Sequence, residues 1–224
     1  MNVRKENSSP PIRIGVLLSG GGRTLTNILD RIRSGELNAQ VVVVIASRPC
    51  KGIALGEQAN IPTHLIPYKQ MPGVQRYSDE ICKLLDAARV ELVVQAGFLS
   101  LWHVPPRYAG HVMNIHPALL PSFGGHGMYG HHVHEAVLAA GCKVSGCTVH
   151  FVTNEYDRGP IIVQKCVAVQ EGDTPDTLAA RVFEAECQAY PEAIALFSQG
   201  RLKIDSHNVR VSPSACDKSA ASRA

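Results

Sequence analysis

The stretch Arg13-Ile14-Gly15-Val16-Leu17-Leu18-Ser19-Gly20-Gly21-Gly22-Arg23-Thr24 decides the architecture. Its first half is aliphatic and reads as a buried strand. Ser19 to Gly22 read as a tight turn, which glycine makes cheaply because it enters positive φ without steric penalty. Directly after it, Leu25, Ile28, Leu29 and Ile32 fall at i, i+3, i+4 and i+7, the spacing of one apolar helix stripe. Strand, glycine loop and helix form the first unit of an α/β sheet whose loops gather at the carboxyl ends of the strands.

The same grammar recurs downstream. Val41 to Ala46 predicts a second buried strand, Gly52 to Asn60 a short helix and Thr63 to Ile66 a third strand. Tyr77, Ile81, Leu84, Leu85 and Ala88 mark a further helix. Leu92 to Ala96 reads as another strand, and His111 to Ile115 as one more that ends at a polar cluster. From Lys143 the pattern changes: Lys143 to Val152 and Pro160 to Val169 are β-rich, and the loop between them is too short for a crossover helix. That predicts an antiparallel addition. A long helix from Thr174 to Gln199 turns Leu178, Val182, Ala189, Ala193 and Phe197 inward, with a kink expected at Pro191. The expected fold is a doubly wound, mostly parallel α/β domain, Rossmann-like, over residues 12–205, with an antiparallel C-terminal addition and a long closing helix. Residues 1–11 and the Ser/Ala-rich residues 206–224 are expected to be flexible tails.

Composition removes several function classes. The opening residues lack the apolar centre of a secretory signal, and Val41 to Ala46, the longest aliphatic run, is too short to span a bilayer. A cytoplasmic protein without membrane partners is expected. The seven cysteines include no Cys-x-x-Cys pair, which argues against a disulfide framework or a zinc site. His126, His131, His132 and His134 crowd one loop and helix start, but the 131/134 pair lacks a carboxylate or cysteine cluster to complete a metal site, so no metal is expected. The net charge of +3 divides into +1 from Arg4, Lys5 and Glu6 and +3 from residues 201–224, leaving −1 for the core. No nucleic-acid partner is expected from such a balance.

Four features carry chemistry. The loop Ser19 to Thr24 opens a helix, where unpaired N–H groups and the helix dipole favour an anion, and Arg23 and Thr24 add a charge and a hydroxyl. It is neither Gly-x-Gly-x-x-Gly nor a Walker loop, and a plain glycine turn is the alternative. Asn114 and His116 are alternate residues at a strand end and share one face, offering an amide donor and a titratable imidazole to a developing oxyanion; a buried hydrogen-bonded Asn–His pair is the alternative. Asp157 precedes a Gly-Pro turn and is either a turn residue or a carboxylate that supports His116 and holds a water. Glu186 falls on the apolar stripe of the last helix, where a carboxylate needs a partner; a structural salt bridge is favoured over a ligand contact. His150, inside a strand, reads as a satisfied sheet residue.

Taken together, Ser19-Gly-Gly-Gly, Ala96-Gly97-Phe98, Asn114-Ile-His-Pro-Ala-Leu-Leu-Pro, Val149-His-Phe-Val and Asp157-Arg-Gly-Pro-Ile-Ile-Val-Gln resemble the folate-dependent formyltransferases. The resemblance is to the glycinamide ribonucleotide transformylase group in particular and extends from about Arg13 to Lys203. It implies transfer of a formyl group from the co-substrate 10-formyltetrahydrofolate to the amine of glycinamide ribonucleotide, with Asn114, protonated His116 and Asp157 as the catalytic group. It further implies that Gly22, Arg23 and Thr24 hold the phosphate, that Glu186 meets the ribose, and that Leu99, Ser100, Leu101 and Trp102, with Asn114, line the folate pocket. The chain departs from the group's pattern at Gly21, Arg23 and Thr24 in the loop, at Ser100 and at Val74, where Asn, Ser-Asn, Arg and Arg are frequent. Phe123 to Gly130 is expected to be a mobile flap. A formyltetrahydrofolate hydrolase would normally add an N-terminal domain, methionyl-tRNA formyltransferase a C-terminal one; a binding protein without catalysis is the remaining competitor. Monomer and homodimer stay open.

Overall fold

The structure, a computed structural model, describes residues 10–213; the parts of the expected tails at 1–9 and 214–224 lie outside the described residues. Nine strands form one sheet: β1 (Ile12–Leu18), β2 (Ala39–Ala46), β3 (Thr63–Leu65), β4 (Leu92–Gln95), β5 (Val112–His116), β6 (Val144–Phe151), β7 (Ile161–Ala168), β8 (Leu202–Asp205) and β9 (Asn208–Val211). Their order is β3-β2-β1-β4-β5-β6-β7-β9-β8, parallel from β3 to β5 and antiparallel across β5–β6 and β6–β7. Five helices accompany them: α1 (Arg23–Arg33), α2 (Lys51–Gln58), α3 (Val74–Ala87), α4 (His131–Ala139) and α5 (Pro175–Ser198).

Alternation along β1 builds two cores. Ile14, Val16 and Leu18 join Leu25 and Ile28 of α1 and Leu178, Val182 and Ile194 of α5 on one face, whereas Leu17 joins Tyr77, Ile81 and Leu85 of α3 on the other. The sheet is thus covered on both sides, as its near-continuous aliphatic strands require. α5 runs through Pro191 and is anchored by Tyr190, whose buried hydroxyl lies 2.9 Å from the carbonyls of both Gln95 on β4 and Met113 on β5.

The C-terminal end differs from expectation. Asn208–Val211, inside the stretch read as a flexible tail, forms β9, which pairs with β8 through Asp205↔Asn208 and touches β7 at Ile161↔Asn208. The hairpin escaped the sequence reading for two physical reasons. Its two-residue turn is Ser206-His207 rather than the Asn-Gly or Asp-Gly of a typical two-residue hairpin, and its residues are mostly exposed, so no apolar run marks it.

Candidate active site

The glycine loop is fixed from below. The Ser19 N–H donates to the Gly97 carbonyl, the Leu99 N–H donates to Ser19 Oγ at 3.0 Å, and Ser19 Oγ lies 2.6 Å from Ser47 Oγ. The carboxyl ends of β1, β2 and β4 are thereby tied together. Gly22 caps α1 at φ 79° without a side-chain cap, and a Cβ there would lie 2.7 Å from Leu55 Cδ1 and 3.0 Å from Gly52 Cα, so only glycine fits. The first intrahelical bond runs from the Thr26 N–H to the Gly22 carbonyl. The amides of Arg23, Thr24 and Leu25 precede it at the positive end of the helix dipole, and Arg23 and Thr24 line the cleft. Arg23 lays its guanidinium over the ring of Phe183 on α5, with Cζ 3.6 Å from the centroid.

The second group is assembled by the β5–β6 register, which sets Asn114 opposite His150 and His116 opposite Thr148. Asn114 Nδ2 lies 3.2 Å from His150 Nε2, and His150 Nδ1 lies 2.9 Å from the Phe151 carbonyl. Nδ1 must be the donor there, so in the neutral ring Nε2 accepts from the Asn114 amide. His116 Nε2 donates to the Phe123 carbonyl at 2.8 Å, which leaves Nδ1 facing Asp157 Oδ2 at 3.5 Å. Asp157 Oδ1 lies 3.6 Å from His150 Nε2, and Oδ2 accepts the Gly125 N–H at 2.9 Å. One carboxylate therefore stands between two imidazoles and is tied to the loop above them.

Burial pushes the pKa of His116 below its ordinary value, and the Asp157 charge and the Phe123 carbonyl only partly offset this. Desolvation of a nearly inaccessible imidazole thus exceeds the pull of its partners. For Asp157, burial pushes upward, but the neighbouring His150 imidazole, the nearby His116 and the Gly125 N–H outweigh it and hold the carboxyl below the usual range. It is ionised at neutral pH.

Both groups open into one cleft of about 370 Å³, whose walls include Arg23, Thr24, Asn114, His116, Asp157 and Glu186. Leu99, Ser100, Leu101 and Trp102 line it from the β4 side, and Gly125 and residues 127–130 line it from above; Val74, at the start of α3, does not. Glu186 forms no ion pair within 4.0 Å among the described residues, so the favoured salt bridge is not made. Burial pushes its pKa up to about 7, against the lowering pull of Arg23. His150 and His134 also line the cleft, and neither was read as a site residue. For His150 the available signal was its place in a strand that would pair with the Asn-x-His strand, but the partner and the register were invisible. Among the described residues no group of three or more His, Cys, Asp or Glu side chains could hold a metal ion, and no helix is long and apolar enough to cross a membrane.

This combination of an open α/β sheet, a glycine loop and an Asn–His–Asp group at one crevice defines a formyl-transferring class, and residues 12–194 match the formyl transferase family. The chain belongs to that family. It is 34% identical over 195 residues to phosphoribosylglycinamide formyltransferase of Haemophilus influenzae, covering 86% of this chain and 90% of the relative. With the chloroplastic enzyme of the same name from Arabidopsis thaliana it is 37% identical, over 85% of this chain and 67% of the relative. It is also 37% identical to the trifunctional purine biosynthetic protein adenosine-3 of Gallus gallus, of whose length it spans 19%. The crystal structure of glycinamide ribonucleotide transformylase 1 from Symbiobacterium toebii superposes with a TM-score of 0.84 at 39% identity, over 92% of this chain and 96% of the other. A formyltetrahydrofolate deformylase from Pseudomonas syringae superposes with a TM-score of 0.80 at 25% identity, over 92% of this chain and 67% of the other.

Proposed function

We propose that the chain transfers the formyl group of 10-formyltetrahydrofolate to the primary amine of glycinamide ribonucleotide in purine biosynthesis. The observation that carries this reading is that an anion-attracting glycine loop and an amide–imidazole–carboxylate group open into the same cleft. An amine that attacks a formyl carbonyl creates a tetrahedral carbon bearing an oxyanion, and donors fixed in advance stabilise that charge most effectively. Asn114, oriented by His150, keeps an N–H for the oxyanion. His116, neutral at rest, takes the proton shed by the attacking amine at Nδ1, directly or through a water, and its imidazolium is stabilised by Asp157 before the proton passes to the departing nitrogen. No covalent enzyme intermediate is required. The first amides of α1 with Arg23 and Thr24 hold the phosphate, Glu186 accepts from ribose hydroxyls, and Leu99, Ser100, Leu101 and Trp102 border the folate. The names of the relatives support this acceptor, and a cytoplasmic setting goes with it.

The test measures tetrahydrofolate release from 10-formyltetrahydrofolate with and without glycinamide ribonucleotide, with His116→Ala and Asn114→Ala as controls. Turnover that requires the ribonucleotide and falls roughly 10²- to 10³-fold on loss of the Asn114 donor supports the transferase. Turnover without the ribonucleotide makes water the acceptor, the activity named for the Pseudomonas syringae neighbour, and near-normal rates in both variants refute the site.

A further inference from the structure

We propose that Phe183 is a positioning residue that parks Arg23 as the cation of the phosphate site and keeps it from closing onto Glu186. The inference rests on the reading of this cleft as one that takes a phosphorylated ribose. Phe183 and Glu186 stand three residues apart on α5, so they share a face, and both line the cleft beside Arg23. Arg23 is close enough to Glu186 for its charge to be felt there, yet among the described residues the two make no ion pair within 4.0 Å. The guanidinium instead lies on the Phe183 ring, with Cζ 3.6 Å from its centroid.

The choice of seat matters chemically. Stacking uses the flat face of the guanidinium and leaves its edge N–H donors free for a bidentate contact with phosphate oxygens. A closed Arg23–Glu186 pair would spend those same donors on a protein carboxylate and would occupy the group that meets the ribose. Arg23 is also a cation in the first turn of α1, where the dipole disfavours it, and no acidic residue in that turn compensates. That excess of positive potential is balanced by a phosphate dianion. Arg23 reads from the sequence as a changed loop residue; together with Phe183 it becomes half of a two-residue device.

The experiment measures binding of ribose 5-phosphate by titration calorimetry to the wild type, Phe183→Leu, Phe183→Tyr, Arg23→Leu and the Arg23→Leu/Phe183→Leu double variant, beside steady-state kinetics with glycinamide ribonucleotide. Phe183→Leu is expected to weaken binding and raise KM for the ribonucleotide by at least two- to fivefold, the worth of an exposed cation–π contact, with kcat and KM for the folate within twofold. Phe183→Tyr, which keeps the ring, is expected to bind like the wild type, and Phe183→Leu is expected to cost nothing further once Arg23 is gone. Unchanged binding in Phe183→Leu, an additive loss in the double variant, or no binding of ribose 5-phosphate to the wild type each overturns the inference. A wild type that binds ribose 5-phosphate but does not turn over the ribonucleotide refutes the proposed reaction, and the binding series then still decides the role of Phe183.

Discussion

Replacing His150 with alanine separates the orientation of the Asn114 amide, the proposed oxyanion donor, from the amide itself. His150 accepts from Asn114 Nδ2 at 3.2 Å, and its own tautomer is set by the Phe151 carbonyl at 2.9 Å. Losing it frees the Asn114 side chain to rotate and leaves the Phe151 carbonyl without that donor. One such hydrogen bond has a net worth of about 0.5–1.5 kcal/mol, which corresponds to roughly 2- to 13-fold in kcat if all of it is expressed in the transition state. Removing the oxyanion donor directly costs roughly 10²- to 10³-fold. His150→Ala is therefore expected to fall between the wild type and Asn114→Ala, with kcat reduced and KM for the ribonucleotide nearly unchanged, because His150 is not among the residues proposed to hold the phosphate or the ribose. Stopped-flow or coupled assays of tetrahydrofolate release, together with urea unfolding to verify that the variant is folded, measure both quantities. A His150→Ala enzyme with wild-type kcat, or one as inactive as Asn114→Ala, refutes the view that His150 acts by orienting the amide.

Three further outcomes follow from the geometry. Glu186 has a folded pKa of about 7, above its ordinary 4.5; a raised carboxyl contributes stability that is present below its unfolded pKa and lost as pH rises through the folded one, so Glu186→Gln should flatten the stability profile between about pH 4.5 and 7 in urea titrations, and a profile of unchanged slope there counts against it. Gly22→Ala places a Cβ 2.7 Å from Leu55 Cδ1 at φ 79° and should cost about 2–5 kcal/mol from overpacking and left-handed strain together, read as a lowered urea midpoint, with an unaltered midpoint as the contrary result. The Phe123–Gly130 loop touches His116 and Asp157 through the Phe123 carbonyl and the Gly125 N–H, so its amides should become protected from hydrogen exchange when folate binds, and unchanged exchange argues against a flap.

The parts of this molecule that could be read from its sequence are those fixed by local spacing. The Arg13–Leu18 run, the glycines after it and the i, i+3, i+4 stripe of Leu25, Ile28 and Leu29 dictated the first strand–loop–helix unit, and Asn114 and His116 were placed on one face by the two-residue period of a strand alone. What stayed hidden depends on register and on packing between distant segments. The pairing of Asn114 with His150 exists only because β5 and β6 align as they do; a slip of one residue would turn His150 to the opposite face of the sheet, and no local pattern in either strand records that choice. The β8–β9 hairpin was invisible because its turn lacks the usual residues and its strands bury little. Arg23 makes the same point most sharply. From the sequence it is a departure from the group's usual loop that adds a charge, and no local pattern says where that charge is seated. Once α1 and α5 are packed, its guanidinium rests on the Phe183 ring, and under the reading proposed above that seat turns the departure into a gain of charge at the phosphate site. A change in a binding loop is therefore interpretable only with the residue that seats it, and here that residue lies on the far side of the sequence.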